Sequence, residues 1–260
     1  MRKLKKQSKM KFIHSCLLTL LITLTSCSSL KNPYKNITDE KAKNIIEQSI
    51  VAYGGLENWN NINYLGFDKW YALYDENGTE ETNVQQKHHY TPEKIYMTWA
   101  DGKNKIEQTK VGEAYTKRIN NEDDKTAEIQ RVKNSILAAT FVMNFPYNLL
   151  GNGSTISYEG QSTFMDKPVY VIRVEYFPET QAHHTTKDIW WHYIDVNSYL
   201  GIGYKVKHLD HISLIKNTSF NTVKGFTLPG ERESFRVDEN GNELYLKARY
   251  VYSGFSVIEK

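Results

Sequence analysis

The sequence contains little cysteine and no long apolar run. Its 260 residues include two cysteines, Cys16 and Cys27, too few for the disulfide frameworks that hold small secreted proteins together. The longest apolar stretch, residues 12–24, is shorter than the roughly 20 residues that a transmembrane helix needs. A disulfide miniprotein is therefore excluded, and residues 12–24 do not predict a membrane-spanning helix.

The chain also lacks a basic excess outside its N-terminus. Its formal net charge is +3, but six bases precede the apolar run with no acidic residue among them: Arg2, Lys3, Lys5, Lys6, Lys9 and Lys11. Without them, the rest of the chain has fewer bases than its 30 acidic residues. Because nucleic-acid binding requires clustered positive charge, we expect no DNA or RNA partner.

The N-terminal segment is typical of a bacterial lipoprotein signal. A basic stretch followed by an apolar run is the order found in secretory signal peptides. Leu24-Thr25-Ser26-Cys27 then resembles the lipobox, whose cysteine is diacylated before the signal is removed. We therefore predict a signal peptide over residues 1–26 and lipid attachment at Cys27. Met10 is an alternative start of the chain. The alternative interpretation is an ordinary signal peptide after which Cys27 follows by chance and carries no lipid.

Residues 27–38 are predicted to be a lipidated tether, followed by a single domain over residues 39–260. Residues 28–37 are polar, show no period and include Pro33. No acidic residue follows Cys27 directly, so the segment resembles neither the inner-membrane retention signal nor the acidic surface-export signals of Gram-negative lipoproteins. We expect a monomer anchored by its lipid to the periplasmic face of the outer membrane.

Two segments predict helices. Residues 39–53 carry apolar residues at helical spacing after Asp39, a good N-cap, and Gly54-Gly55 ends the pattern. Residues 125–144 show the same spacing, with Asp124 as the predicted cap and Pro146 after the end.

The remaining elements have the period of two that is typical of strands. Asn-Gly or Asp-Gly pairs at 75–78, 101–102 and 238–241 predict type I′ hairpin turns. About ten strands are predicted, over residues 64–74, 95–100, 103–110, 154–160, 169–177, 188–195, 203–209, 212–220, 231–237 and 243–258. Consecutive strands with only two helices indicate a mainly β (α+β) fold built on an antiparallel sheet.

Several segments resemble the lipoprotein-localisation (LolA/LolB-like) proteins. The likeness rests on Tyr-Gly-Gly-Leu-Glu-Asn-Trp at 53–59 and on residues 145–150, 158–160, 190–195 and 225–229. The resemblance implies a half-barrel, in which a strongly curved antiparallel sheet wraps two helices, and the better-known members carry acyl chains inside the curve. It carries no catalytic residue, and the cargo-binding residues of the known carriers have no aligned counterparts here.

The sequence contains none of four common catalytic or nucleotide-binding motifs: G-x-S-x-G, G-x-x-x-x-G-K, G-x-G-x-x-G and H-E-x-x-H. The candidate metal or catalytic residues are the histidines at 88, 89, 183, 184, 192, 208 and 211. Adjacent histidines on a strand point to opposite faces and make a poor chelate. We therefore expect no enzyme activity, no cofactor and no bound metal. A hydrolase or metal enzyme is the alternative, and it requires His192 and His208 within ligand reach.

Aromatic residues are abundant, with 18 Tyr, 10 Phe and 5 Trp. Tyrosine is favoured where one end of a side chain is apolar and the other meets water, although ordinary strand preference is an alternative cause. We predict that a curved sheet lined by rings binds a lipidic or otherwise apolar ligand; a ligand-free envelope scaffold is the alternative. Because a one-residue register slip exchanges the faces, candidates are named from both: Trp70, Tyr74, Tyr96, Trp99, Tyr170, Trp190 and Tyr204.

Overall fold

Strands account for most of the structure, a computed structural model that describes residues 32–177 and 188–260. The described residues form fifteen strands: β1 (Ile62–Tyr74), β2 (Glu80–Tyr90), β3 (Lys94–Asp101), β4 (Asn104–Val111), β5 (Ala114–Ile119), β6 (Glu122–Asp123), β7 (Ser154–Phe164), β8 (Lys167–Tyr176), β9 (Ile189–Asp195), β10 (Gly201–Lys207), β11 (Ile212–Asn217), β12 (Phe220–Val223), β13 (Phe226–Pro229), β14 (Glu231–Val237) and β15 (Glu243–Glu259). The predicted signal peptide and Cys27 lie outside the described residues.

Thirteen of these strands form one antiparallel sheet. Its order is β6-β5-β4-β3-β2-β1-β15-β14-β11-β10-β9-β8-β7, and β12 and β13 form a separate hairpin. The strands β6 and β7 are its two edges and do not pair, so the curved sheet is open. The predicted mainly β, antiparallel class is confirmed, but the estimate of about ten strands is too low. Much of the difference comes from polar strands such as β2, whose sequence lacks an apolar alternation.

Three α-helices are present in the described residues: α1 (Glu40–Ala52), α2 (Leu56–Asn60) and α3 (Ile129–Met143), with a 3₁₀ turn at Tyr147–Leu150. The first predicted helix is confirmed as α1. The carboxylate of its N-cap, Asp39, accepts hydrogen bonds from the backbone N–H groups of Lys41 and Ala42, at 2.9 and 3.0 Å. None of the described helices has both the length and the apolar character to cross a bilayer.

The second predicted helix exists but starts later than expected. It begins at Ile129 with Glu128 as N-cap, rather than at residue 125 after Asp124. Asp124 instead accepts hydrogen bonds from the backbone N–H and the hydroxyl of Thr126, at 3.1 and 2.7 Å. The predicted cap is wrong because Asp124 closes a local turn, a competing use of the same carboxylate.

The glycine-containing turns join strands as predicted, but their geometry is not type I′. That turn needs positive φ at both central residues, whereas φ is positive only at Gly78 (+81°) and Gly241 (+88°) in the two Asp-Glu-Asn-Gly turns and at Gly102 in the third. In the turn at 75–78 the Asp75 carboxylate accepts from the N–H of Thr79, at 2.8 Å. The aspartate therefore stabilises a longer loop that ends in a left-handed glycine.

The hydrophobic core lies between the helices and one face of the sheet, which we call the inner face. The apolar stripe of α1, including Ile46 and Ile50, packs on residues of β7 to β11. Near the other end of the sheet, Val132 and Ile136 of α3 pack on Met97 of β3. The C-terminal end of α3 meets the β12–β13 hairpin, where Met143 packs with Phe226. The helices thus cover separate parts of the inner face.

Candidate functional site

A cavity of about 630 Å³ lies between α3 and the middle of the inner face. Its walls come from α3, from inner-face positions of β1, β15, β14, β11 and β10, and from Trp190 of β9. We call it the α3 cavity; its volume lies within the roughly 300–1,000 Å³ typical of small-molecule sites. Its aromatic lining consists of Tyr71, Phe141, Trp190, Tyr204, Tyr250 and Tyr252. Rings and aliphatic side chains therefore dominate the wall.

Strand alternation decides which residues of β1 reach the cavity. Lys69, Tyr71 and Leu73 line it, whereas Trp70 lies on the opposite, outer face, where its indole N–H donates to Asn83 Oδ1 at 2.7 Å. Strand pairing then places Tyr71 opposite Tyr250 of β15. On its other side, Tyr250 is opposite Arg232 of β14. Three neighbouring strands thereby bring phenol rings and two cations together.

The structure brings only two of the seven predicted aromatic residues together at this cavity. Trp190 and Tyr204 line it. Trp99 lines a different pocket, of about 420 Å³, next to Asp124. Tyr170 is buried in the core beneath α1, with the Lys41 ammonium 5.5 Å from its ring centre.

Trp70, Tyr74 and Tyr96 lie on the outer face of the sheet. Tyr74 alternates with Leu73, a cavity residue. Tyr96 donates from its hydroxyl to Glu107 at 2.8 Å. These three rings do not reach the α3 cavity, because strand geometry turns successive side chains to opposite faces.

Arg232 is a buried cation of the cavity wall whose hydrogen-bond partners are neutral. Its side chain is 5% exposed. The guanidinium donates to Asn217 Oδ1 at 2.9 Å, to the hydroxyl of Tyr252 at 3.3 Å and to the hydroxyl of Tyr204 at 2.9 Å. Since an arginine stays protonated in proteins, a full positive charge lies inside the wall.

Lys69 is a second cation of the cavity wall. Its Nζ lies 4.9 Å from the ring centre of Tyr71 and 5.4 Å from that of Tyr250. Among the described residues, it makes no hydrogen bond or ion pair. Burial, together with the nearby charge of Arg232, lowers the pKa of Lys69 from 10.5 to about 8. The guanidinium carbon of Arg232 is 5.8 Å from the Tyr250 ring centre, so both cations contact one ring.

The other charged side chains of the cavity have partners. Lys247 pairs with Glu81 at 2.9 Å, and His208 pairs with Asp188 at 3.0 Å. Arg236 donates to the hydroxyl of Ser213. The described lining therefore has a positive balance, with Asp188 as its acidic residue.

The structure does not bring His192 and His208 together. His192 lies opposite Tyr204 on β10, whereas His208 follows the end of that strand. His192 faces the core, where its ring stacks on Phe145 at 5.0 Å and burial lowers its pKa to about 3. His183 and His184 lie outside the described residues, within which no group of three His, Cys, Asp or Glu residues could hold a metal ion. The geometry required by the enzyme alternative is thus not found there.

The adjacent pair His88 and His89 points to opposite faces, as predicted from strand alternation. His88 is buried on the inner face, where Nε2–H donates to Gln86 Oε1 and Nδ1 accepts from the hydroxyl of Tyr90, both at 3.1 Å. His89 lies on the outer face, 2.6 Å from the hydroxyl of Tyr64. The two rings therefore cannot act on one ligand.

The sequence analysis missed Lys69 and Arg232, although one signal for Lys69 is visible. The inner-face positions of β1 from Leu65 to Leu73 are apolar or aromatic except for Lys69. A single charge on an otherwise apolar strand face is costly to bury without a partner, and such a position is therefore a candidate ligand contact. Arg232 gives no such signal, because its strand alternates serine and arginine on that face.

Comparison with known proteins identifies the fold. No protein-family model and no curated protein matches the sequence. A LolA superfamily protein from Nitrosomonas europaea is similar in structure, with 8% identity over 84% of this chain and 94% of that chain and a TM-score of 0.54. A domain named for outer membrane lipoprotein sorting, from Vibrio parahaemolyticus, has 7% identity, covers 84% of this chain and 92% of its own length, and has a TM-score of 0.51. The LolA-like fold implied by the sequence resemblance is confirmed, and at these identities the likeness extends to the fold alone.

Proposed function

We propose that this protein is a lipoprotein of the outer membrane that binds an acyl-chain lipid in the α3 cavity and catalyses no reaction. The lipid on Cys27 would hold it at the periplasmic face. The observation that carries the proposal is the cavity itself, about 630 Å³ in volume and walled largely by rings and aliphatic side chains. Such a lining removes apolar groups from water and gives a chain few specific polar contacts.

Simple energetics support an acyl chain as the occupant. Each buried methylene contributes about 0.8 kcal/mol, so ten methylenes contribute roughly 8 kcal/mol before the cost of association. A net gain of that size corresponds to a dissociation constant of about 1 μM, and part of it is lost to association. A ligand-free scaffold is the competing function, and it would be favoured by a filled interior rather than by an open cavity.

A cavity-blocking variant tests this function. Ala138 is an exposed residue of α3 that lines the cavity, so Ala138→Trp places an indole where the chain would lie. We expect co-purifying lipid, measured by mass spectrometry of organic extracts, to fall about tenfold or more, because a steric cost of about 1.4 kcal/mol is sufficient for that change.

The matched control is Gln130→Trp, which adds the same side chain to an exposed position of α3 outside the cavity lining. This variant should retain the wild-type amount of lipid. Equal lipid loss in both variants would contradict the cavity as the site. Wild-type protein that carries no lipid, and whose melting temperature does not rise with any fatty acid, would favour the scaffold instead.

A further inference from the structure

The α3 cavity contains charges that an acyl chain alone does not need. Lys69 and Arg232 both lie in its wall, next to the same Tyr250 ring, and neither has a carboxylate partner among the described residues. By contrast, the exposed cations Arg118 and Lys207 pair with carboxylates at 2.8 and 3.0 Å. Two cations without a carboxylate partner thus lie in the wall of the cavity, where an unpaired charge is costly.

Neutral contacts compensate these charges only in part. The Tyr250 ring makes a cation–π contact with both Lys69 and Arg232. In a site that excludes water, such a contact is weaker than an ion pair. Three of the five N–H donors of Arg232 are used by Asn217, Tyr204 and Tyr252. The phenol oxygens of Tyr204 and Tyr252 accept hydrogen bonds from Arg232. The O–H hydrogen of each phenol can therefore donate to another group. The site therefore combines positive charge with hydroxyl donors, the complement of an anion.

We propose that Lys69 and Arg232 form an anion subsite beside Tyr250 and that this subsite holds the carboxylate or phosphate head of the bound lipid inside the cavity. The inference rests on the proposed lipid-binding function and narrows its ligand class to anionic amphiphiles. The head group neutralises the two cations, and the acyl chain occupies the apolar part of the same cavity. A neutral lipid of equal chain length fills the apolar part but leaves both cations unpaired.

A matched pair of brominated ligands tests the subsite. Trp190 lines the cavity, so a bromine-bearing chain bound there quenches its fluorescence. Purified protein stripped of lipid is titrated at pH 7 with 9,10-dibromostearate and with its methyl ester, which differ in the charge of the head. We expect the acid to bind about tenfold more tightly than the ester, because a tenfold difference is the size that charge-assisted hydrogen bonds contribute.

Variants of one position then connect this preference to Lys69. Lys69→Met should weaken binding of the acid about tenfold and leave binding of the ester unchanged, whereas Lys69→Arg should keep the preference. Lys205→Met is the matched control, because Lys205 lies on the outer face against Trp191, 4.4 Å from the ring centre. It should behave as wild type with both ligands.

The possible outcomes separate the two proposals. If acid and ester bind wild-type protein equally, the anion subsite is overturned while lipid binding stands. If neither ligand binds, the proposed function itself fails. Acetate or inorganic phosphate that raises the melting temperature as much as dibromostearate would overturn the assignment of the subsite to a lipid head. The anion subsite is supported if Lys69→Met loses the preference for the acid over the ester and Lys69→Arg retains it.

Discussion

Replacing Cys27 with Ser is expected to transfer the protein from the membrane fraction to the soluble fraction of the envelope. A serine cannot accept the thioether-linked diacylglycerol, so the protein loses two acyl chains at once. One chain gives marginal, reversible binding, and two give stable anchoring. Labelling with radioactive palmitate should disappear, and fractionation should show nearly complete release.

The chain supplies its own control for this experiment. Cys16 is the other cysteine of the sequence and lies inside the predicted signal peptide, so Cys16→Ser should leave both labelling and membrane association unchanged. Residues Pro33–Lys260 form one compact unit, and Cys27 precedes it. Release should therefore occur without a change in melting temperature. Labelling that persists in Cys27→Ser would overturn the lipoprotein interpretation.

The sequence predicts the elements whose periodicity is strong. The α1 stripe of Ile45, Ile46 and Ile50 is visible as helical spacing and is buried in the structure. The polar strand β2 is not visible, because backbone pairing with β1 and β3 stabilises it without an apolar alternation. Turn geometry is also hard to derive: the type I′ pattern of two positive φ angles occurs at Asn120-Asn121 and Met165-Asp166, without the glycine that signals it.

The candidate site depends on long-range pairing that a sequence does not specify. Lys69 meets Tyr250 because β1 pairs with β15, nearly at the other end of the chain, and Arg232 meets the same ring through β14. Local patterns can place a residue on one face of its strand, but they do not decide which strands are neighbours. For this reason aromatic content indicated a lined cavity, while only Trp190 and Tyr204 among the candidates reach it.

The fold itself does not select a ligand. A half-barrel supplies a concave surface, and function depends on which side chains occupy it. In this chain, α3 leaves part of the inner face uncovered, and two cations, Lys69 and Arg232, lie in the wall of the cavity formed there. Ligand charge is therefore a property of this particular cavity and can be tested apart from the fold.

Lys69→Met is expected to stabilise the ligand-free protein by about 3 kcal/mol at pH 7. One pKa unit corresponds to 1.36 kcal/mol, and the pKa of Lys69 is lowered from 10.5 to about 8. Below pH 8 the lysine is protonated in both the folded and the unfolded state, so the folded state bears the full cost of burying the charge. As pH rises from 8 to 10.5, the folded state loses the proton first and this destabilisation disappears. Urea unfolding at several pH values would measure the effect.

Lys69 is the group of this site that differs between wild type and Lys69→Met, and its pKa of about 8 places its effect in this pH window. Burial raises the pKa of Tyr71, and it raises that of Tyr250 to about 12. Burial lowers the pKa of His88 to about 3, and Arg232 stays charged. Tyr204, Tyr252, Arg236 and Lys247 also face the cavity and are the same in both proteins. The stability difference between wild type and Lys69→Met should therefore isolate the lysine.

This difference should be largest near pH 7 and shrink towards pH 10.5. Lys205→Met, on the outer face, should change stability by only about 0.5 kcal/mol at any pH, the size of an exposed cation–π contact. Saturating dibromostearate should reduce the advantage of Lys69→Met, because a ligand that binds the charged folded state stabilises the wild type more. A variant less stable than wild type at pH 7, or a difference independent of pH, would mean that Lys69 is not an unpaired buried cation.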